Sequence, residues 1–114
     1  MRYFLGPPEI LRSHINTHPS AVRGSSITLS CPYTTERSSL ITTTNITWIP
    51  PLSHDESHRP LKLNENQLII SNVQLEDGQI WKCIVANEYG SDSLEFQLEI
   101  LGQQSNFILD MFIC

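Results

Sequence analysis

The run His54-Asp55-Glu56-Ser57-His58 holds two imidazoles four residues apart with carboxylates between them, side-chain types that bind zinc and activate water. On a helix, that spacing would put both rings on one face. A zinc-hydrolase motif needs Glu directly after the first His, and Asp55 stands there instead. Pro50-Pro51 and Pro60 bracket the segment and oppose a helix, so a solvated loop is expected and no metal site. His14 and His18 repeat the spacing, but His18 precedes Pro19 and is biased away from helix. No Gly-x-Ser-x-Gly elbow supplies a nucleophile. The chain's 5 glycines are scattered and build no phosphate-cradling loop. Catalysis is not expected, nor a cofactor, nor a small-molecule substrate.

Short alternating runs dominate the rest of the chain. Ser26 to Cys31 places Ile27, Leu29 and Cys31 on one face of a strand. Asn45 to Ile49 does the same with Ile46 and Trp48, and Pro50-Pro51 ends that strand because neither proline can donate to a ladder. Gln67 to Ile70 points Leu68 and Ile70 inward, and Ile80 to Val85 points Trp81, Cys83 and Val85 inward. Leu94 to Ile100 alternates most cleanly and is expected to be one strand. Weaker strand signals surround Ile10 and Ile15. Gly24, Gly78 and Gly90 lie in turns where positive φ is expected, and a Ser/Thr-rich loop joins Tyr33 to Asn45. Such short strands with Gly/Pro turns predict an all-β antiparallel sandwich.

Of 3 cysteines, Cys31 and Cys83 lie on inward strand faces with Trp48 between them in sequence. Two readings are open: an inter-sheet disulfide, or two buried thiols. The Cys…Trp…Cys order favours the disulfide, with the indole packed on it. Asn45-Ile46-Thr47 is an N-glycosylation sequon at a loop-to-strand junction, meaningful only in a secreted setting and common by chance in Thr-rich sequence.

The chain has 114 residues, 39% of them hydrophobic, enough for one domain. Its 7 Lys+Arg against 12 Asp+Glu give a net charge of −5, a poor footprint for nucleic acid. No apolar run nears the ~18 residues of a membrane span. Gly6-Pro7-Pro8 cuts the opening apolar run short of a signal peptide, so any membrane contact is expected through a region absent from this chain.

The sequence resembles immunoglobulin-like domains of the I-type, as found in neural cell-adhesion molecules and cell-surface receptors. Leu68-Ile69-Ile70-Ser71-Asn72-Val73 running to Asp77 reads as the family's L-x-I-x-N-V-x-x-x-D. Cys83 followed by Asn87 and Gly90 matches its C-x-x-x-N-x-x-G. The resemblance implies about seven strands, a Cys31–Cys83 inter-sheet disulfide and Trp48 packed on it. It also implies an Arg59–Asp77 salt bridge; the alternative is two exposed charges worth little. Trp81 stands where the family's corner tyrosine belongs, and an indole can donate but not accept, so packing with an altered hydrogen bond is expected. The Cys31-to-Trp48 gap is wide, enlarging the loop between those strands.

The domain is expected over residues 8–101. Residues 1–7 read as a linker or remnant of a preceding domain, since Arg2-Tyr3-Phe4-Leu5-Gly6 echoes Glu99-Ile100-Leu101-Gly102. Residues 102–114 read as a non-domain tail, apolar from Phe107 to Cys114 apart from Asp110. What the resemblance implies is a non-enzymatic protein-binding module of a larger cell-surface adhesion or guidance receptor. It would sit on the extracellular side of the plasma membrane. Its candidate partners would be other Ig-type cell-surface proteins, a second copy of itself among them. The Tyr33–Asn45 and Pro50–Arg59 loops are the contact candidates. The alternative is an intracellular I-type spacer of a muscle or cytoskeletal filament, with free thiols and a bare Asn45.

Overall fold

The alternating runs become strands whose apolar members meet in one core. A computed structural model describes residues 6–34, 43–54 and 61–102. Its strands are β1 (Ser20–Val22), β2 (Ile27–Ser30), β3 (Asn45–Ile49), β4 (Lys62–Asn64), β5 (Gln67–Ile70), β6 (Ile80–Asn87), β7 (Gly90–Gln97) and β8 (Glu99–Leu101). One antiparallel sheet runs β2-β5-β4 and another β3-β6-β7, while β1 pairs parallel with β8. In the first sheet Ile27 faces Ile70 and Leu29 faces Leu68. In the second, Cys83 lies between Trp48 and Leu94. Leu29, Cys31, Leu68, Ile70, Trp81, Cys83, Val85 and Phe96 are buried, the period-2 sets of β2 and the residue after it, β5, β6 and β7. A disulfide from Cys31 to Cys83, with S–S 2.04 Å and Cα atoms 6.6 Å apart, joins the sheets into the expected sandwich. β3 stops at Ile49, directly before the proline pair.

Several local expectations change. The Leu94–Ile100 run keeps its alternation, with Phe96 and Leu98 buried and Glu95, Gln97 and Glu99 exposed. It divides at Leu98, however, because its pairing passes from one edge to the other. Leu98 N donates to Gln79 O (3.0 Å), whereas Gln97 N and Glu99 N donate to Thr17 O and Pro19 O (2.8 and 2.9 Å). Around Ile10 there is a single bridge to Tyr33 rather than a strand, and Arg12–His14 is one 3-10 turn. Gly24 and Gly90 have positive φ (89° and 154°), but Gly78 does not. At φ −75° and ψ 66° it centres an inverse γ-turn closed by Gln79 N to Asp77 O (2.7 Å). The short edge strand β4, exposed along its length, carries no alternation that would have revealed it.

Candidate functional site

Cys31 and Cys83 are fully buried, and their sulfurs are bonded to each other, so neither serves as a nucleophile. Trp48, opposite Cys83 across the β3–β6 ladder, packs half-buried on this core, its ring 5.9 Å from Phe96 and tilted by 34°. Its Nε1 is buried without a hydrogen-bond partner among the described residues.

Trp81 occupies the corner. Its buried indole N–H donates to the Asp77 backbone carbonyl, four residues upstream, at 2.9 Å. Asp77 is itself buried at 1% exposure and accepts the Gln74 amide at 2.8 Å, closing the 3-10 turn Leu75–Asp77. Arg59, the expected partner of Asp77, lies outside the described residues.

His54 departs from the expected solvated loop. Pro51 to His54 form a turn (His54 N to Pro51 O, 3.0 Å) that folds the imidazole back into the corner. Its side chain is 1% exposed and meets Trp81 edge-on at 5.4 Å, with Nδ1 4.0 Å from Asp77 Oδ1. That separation is too long for a hydrogen bond, and it is ionic only when the ring is protonated. A carboxylate and an imidazole sealed this way reach no substrate, so the pair is structural rather than an acid–base couple. The described residues contain no cluster of three or more metal-ligating side chains.

The family-type motifs have local physical causes. Asn72 takes φ 53°, which asparagine tolerates better than most residues, and accepts from the Gln74 side chain at both its carbonyl oxygens. Val73, fully buried, then pairs with the turn before β2: Gly24 N to Val73 O, 2.8 Å, and Val73 N to Ser25 O, 2.9 Å. Asn87 Oδ1 accepts the Tyr89 amide (2.9 Å), shaping the β6–β7 hairpin, while its Nδ2 donates to Gly6 O (2.9 Å). A Cβ on Gly90 would stand 3.0 Å from Pro7 Cβ.

A further constellation carried no local sequence signal, because its members are 80 residues apart. Arg12 clamps Asp92 bidentately at 2.8 Å through both guanidinium nitrogens, and Nη2 also donates to Ser93 O. Asp92 accepts the amides of Ile10 (2.8 Å) and Ser93 (2.9 Å) as well. The Arg12 guanidinium holds the Asp92 carboxyl well below the usual carboxylate range. Burial opposes this, and the two backbone donors add to it. Asp92 raises Arg12 in turn.

Asn45 and Thr47 are both exposed on one face of β3, at its start. Residues 35–42 of the Tyr33–Asn45 loop, and 55–59 of the other contact candidate, lie outside the described residues, as do Cys114 and the tail. No helix among the described residues is long and apolar enough to cross a membrane.

Two stacked antiparallel sheets tied by a disulfide define an immunoglobulin-type sandwich domain. The family model for the immunoglobulin domain matches residues 7–87, and the chain belongs to that family, whose domains are generally non-enzymatic. No curated protein matches it. Among solved structures, Sidekick-1 immunoglobulin domains 1–4 share 19% identity over 83% of this chain and 24% of theirs, with a TM-score of 0.65. Titin Ig tandem domains share 19% over 86% of this chain and 51% of theirs (TM-score 0.65). The N-terminal Ig1-2 module of the Drosophila receptor protein tyrosine phosphatase DLAR shares 22% over 82% and 45% (TM-score 0.64). The chain thus spans about a quarter of the Sidekick-1 structure and about half of the other two. At these identities the likeness is one of fold.

Proposed function

We propose that the chain is a non-enzymatic protein-binding module, one immunoglobulin domain of a larger cell-surface adhesion or guidance receptor. In this reading the domain comprises residues 8–101, flanked by 1–7 and 102–114, and recognises other immunoglobulin-type proteins on the extracellular side of the membrane. The carrying observation is the Cys31–Cys83 bond, because disulfides persist in oxidising compartments and are rare in the cytosol. The exposed Asn45 and Thr47 side chains, on one face at the edge of a sheet, leave room for a glycan and agree with that setting. The likeness to a receptor module, the Ig1-2 module of DLAR, agrees with it too.

A second reading, an intracellular filament spacer, draws on the equal likeness to titin. The two separate on one experiment. Native protein, alkylated without reduction and digested, should yield a Cys31–Cys83 linked peptide and an Asn45 peptide whose mass falls on glycosidase treatment. Two alkylated thiols and an unmodified Asn45 would sink the receptor reading in favour of the spacer.

A further inference from the structure

Strand β6 carries apolar residues on both of its faces. Trp81, Cys83 and Val85 fill the core, and the intervening Ile80, Ile84 and Ala86 turn outward together with Lys82. Such a run belongs to a strand covered on both sides, whereas a solvated antiparallel face alternates apolar-in and polar-out. β6 is the central strand of the β3-β6-β7 sheet, so its outward residues stand in the middle of that sheet's outer face. Ile49 joins them from β3, beside Lys82 in the ladder and diagonal to Ile80. Ile49 and Ile80 are 44% and 48% exposed, large apolar side chains left to water. Leu52, fully exposed, follows in the turn whose Ser53 Oγ accepts from Gln79 Nε2, directly before β6. Lys82 stands opposite Glu95 of β7, and among the described residues no salt bridge joins the two.

We propose that this face docks a second copy of the chain, in a two-fold contact centred on Ile49, Ile80 and Lys82. The proposal deepens the protein-binding role above and rests on it. Charge selects the occupant. A patch of one sign would call for a partner of the other, but this patch holds a cation and an anion side by side and is complementary to itself. A two-fold turn that sets Ile49 against the second copy's Ile80 brings each Lys82 within reach of the opposite Glu95. Area sets the strength. Three strands about 4.8 Å apart, with four outward residues on β6, cover roughly 400 Å², half of what a stable interface buries on each side. A contact of that size is weak, with a Kd of roughly 0.1–1 mM, and acts through many copies arrayed together. Asn45 lies on the same face at the far end of β3, about 13 Å along the strand from Ile49, so a glycan there borders the patch.

Sedimentation equilibrium of the full chain up to about 1 mM should show a reversible monomer–dimer equilibrium in that range. Lys82→Glu and Glu95→Lys should each weaken it by about tenfold or more, because each sets like charges against one another across the two-fold. An equimolar mixture of the two variants should associate again, since each supplies the sign that the other lacks. Melting temperatures within about 2 °C of the unmutated protein report that both variants are folded. In the unmutated chain, amide shifts on dilution should cluster at Ile49, Ile80 and Lys82 and leave Thr28 and Ile69, on the other sheet, unmoved. A monomer throughout, a mixture that associates no better than either variant, or dilution shifts that fall elsewhere would overturn the proposal. None of these outcomes touches the Cys31–Cys83 peptide or the Asn45 glycan, so the receptor reading and the two-fold contact fail separately.

Discussion

Asp92 shows how much a single carboxylate can hold when its partners come from both ends of the chain. It accepts two backbone amides and both arms of Arg12, and thereby fastens the segment before β1 to β7. Arg12 is 46% exposed, so solvent screens the pair, and its worth is discounted to about 1 kcal/mol. The folded carboxyl titrates below its unfolded value, so this stability is complete above the usual carboxylate range. It is lost as pH falls through the folded value. Asp92→Asn should therefore unfold about 1 kcal/mol more easily than the unmutated protein in urea at pH 7. That gap should narrow steadily below about pH 4. A gap that stays constant or widens on acidification would show that the ion pair is not the source.

Among the elements, the β6–β7 hairpin places the strictest demand on its sequence. Gly90 combines φ 154° with a Cβ position 3.0 Å from Pro7, whereas Gly24 has φ 89° and open space around it. Alanine at position 24 meets only a backbone penalty, about 1 kcal/mol, while alanine at position 90 must also displace the incoming chain, for about 2–3 kcal/mol. Urea unfolding of the two variants should rank them so; equal losses would mean that Pro7 gives way freely. Elements of this kind differ in how far they could be read in advance. The strands of the core were legible because burial imposes a period of two on neighbouring residues, as in Trp81, Cys83 and Val85. Strand β4 was not, since an exposed edge imposes no pattern. The burial of His54 had a faint cue in the Pro51-Leu52-Ser53 turn, but charge in the residues after it spoke for solvent. The Arg12–Asp92 clamp had none, because contacts between the ends of the chain leave no mark on local spacing.

For the whole molecule, the disulfide sets how much of the stability rests on one crosslink. It closes a separation of 52 residues, and on the chain-entropy model removing it costs about 4 kcal/mol. A domain of this size has about 5–15 kcal/mol in total, so the reduced form keeps a fraction of its margin. The core around the bond is well filled, with Trp81, Phe96, Leu29 and Leu68 fully buried, so the reduced chain should still fold in the cold. Heating separates the two states. At roughly 4–8 °C per kcal/mol for a small domain, the Cys31→Ala, Cys83→Ala protein should melt about 16–32 °C below the bridged one. Such a loss would leave it poorly folded at about 37 °C, which supports the reading in an oxidising compartment. A difference under about 1 kcal/mol would instead mean that the sandwich stands without its crosslink. The disulfide would then lose its weight in the choice between a receptor module and a filament spacer, and Asn45 would carry that choice alone.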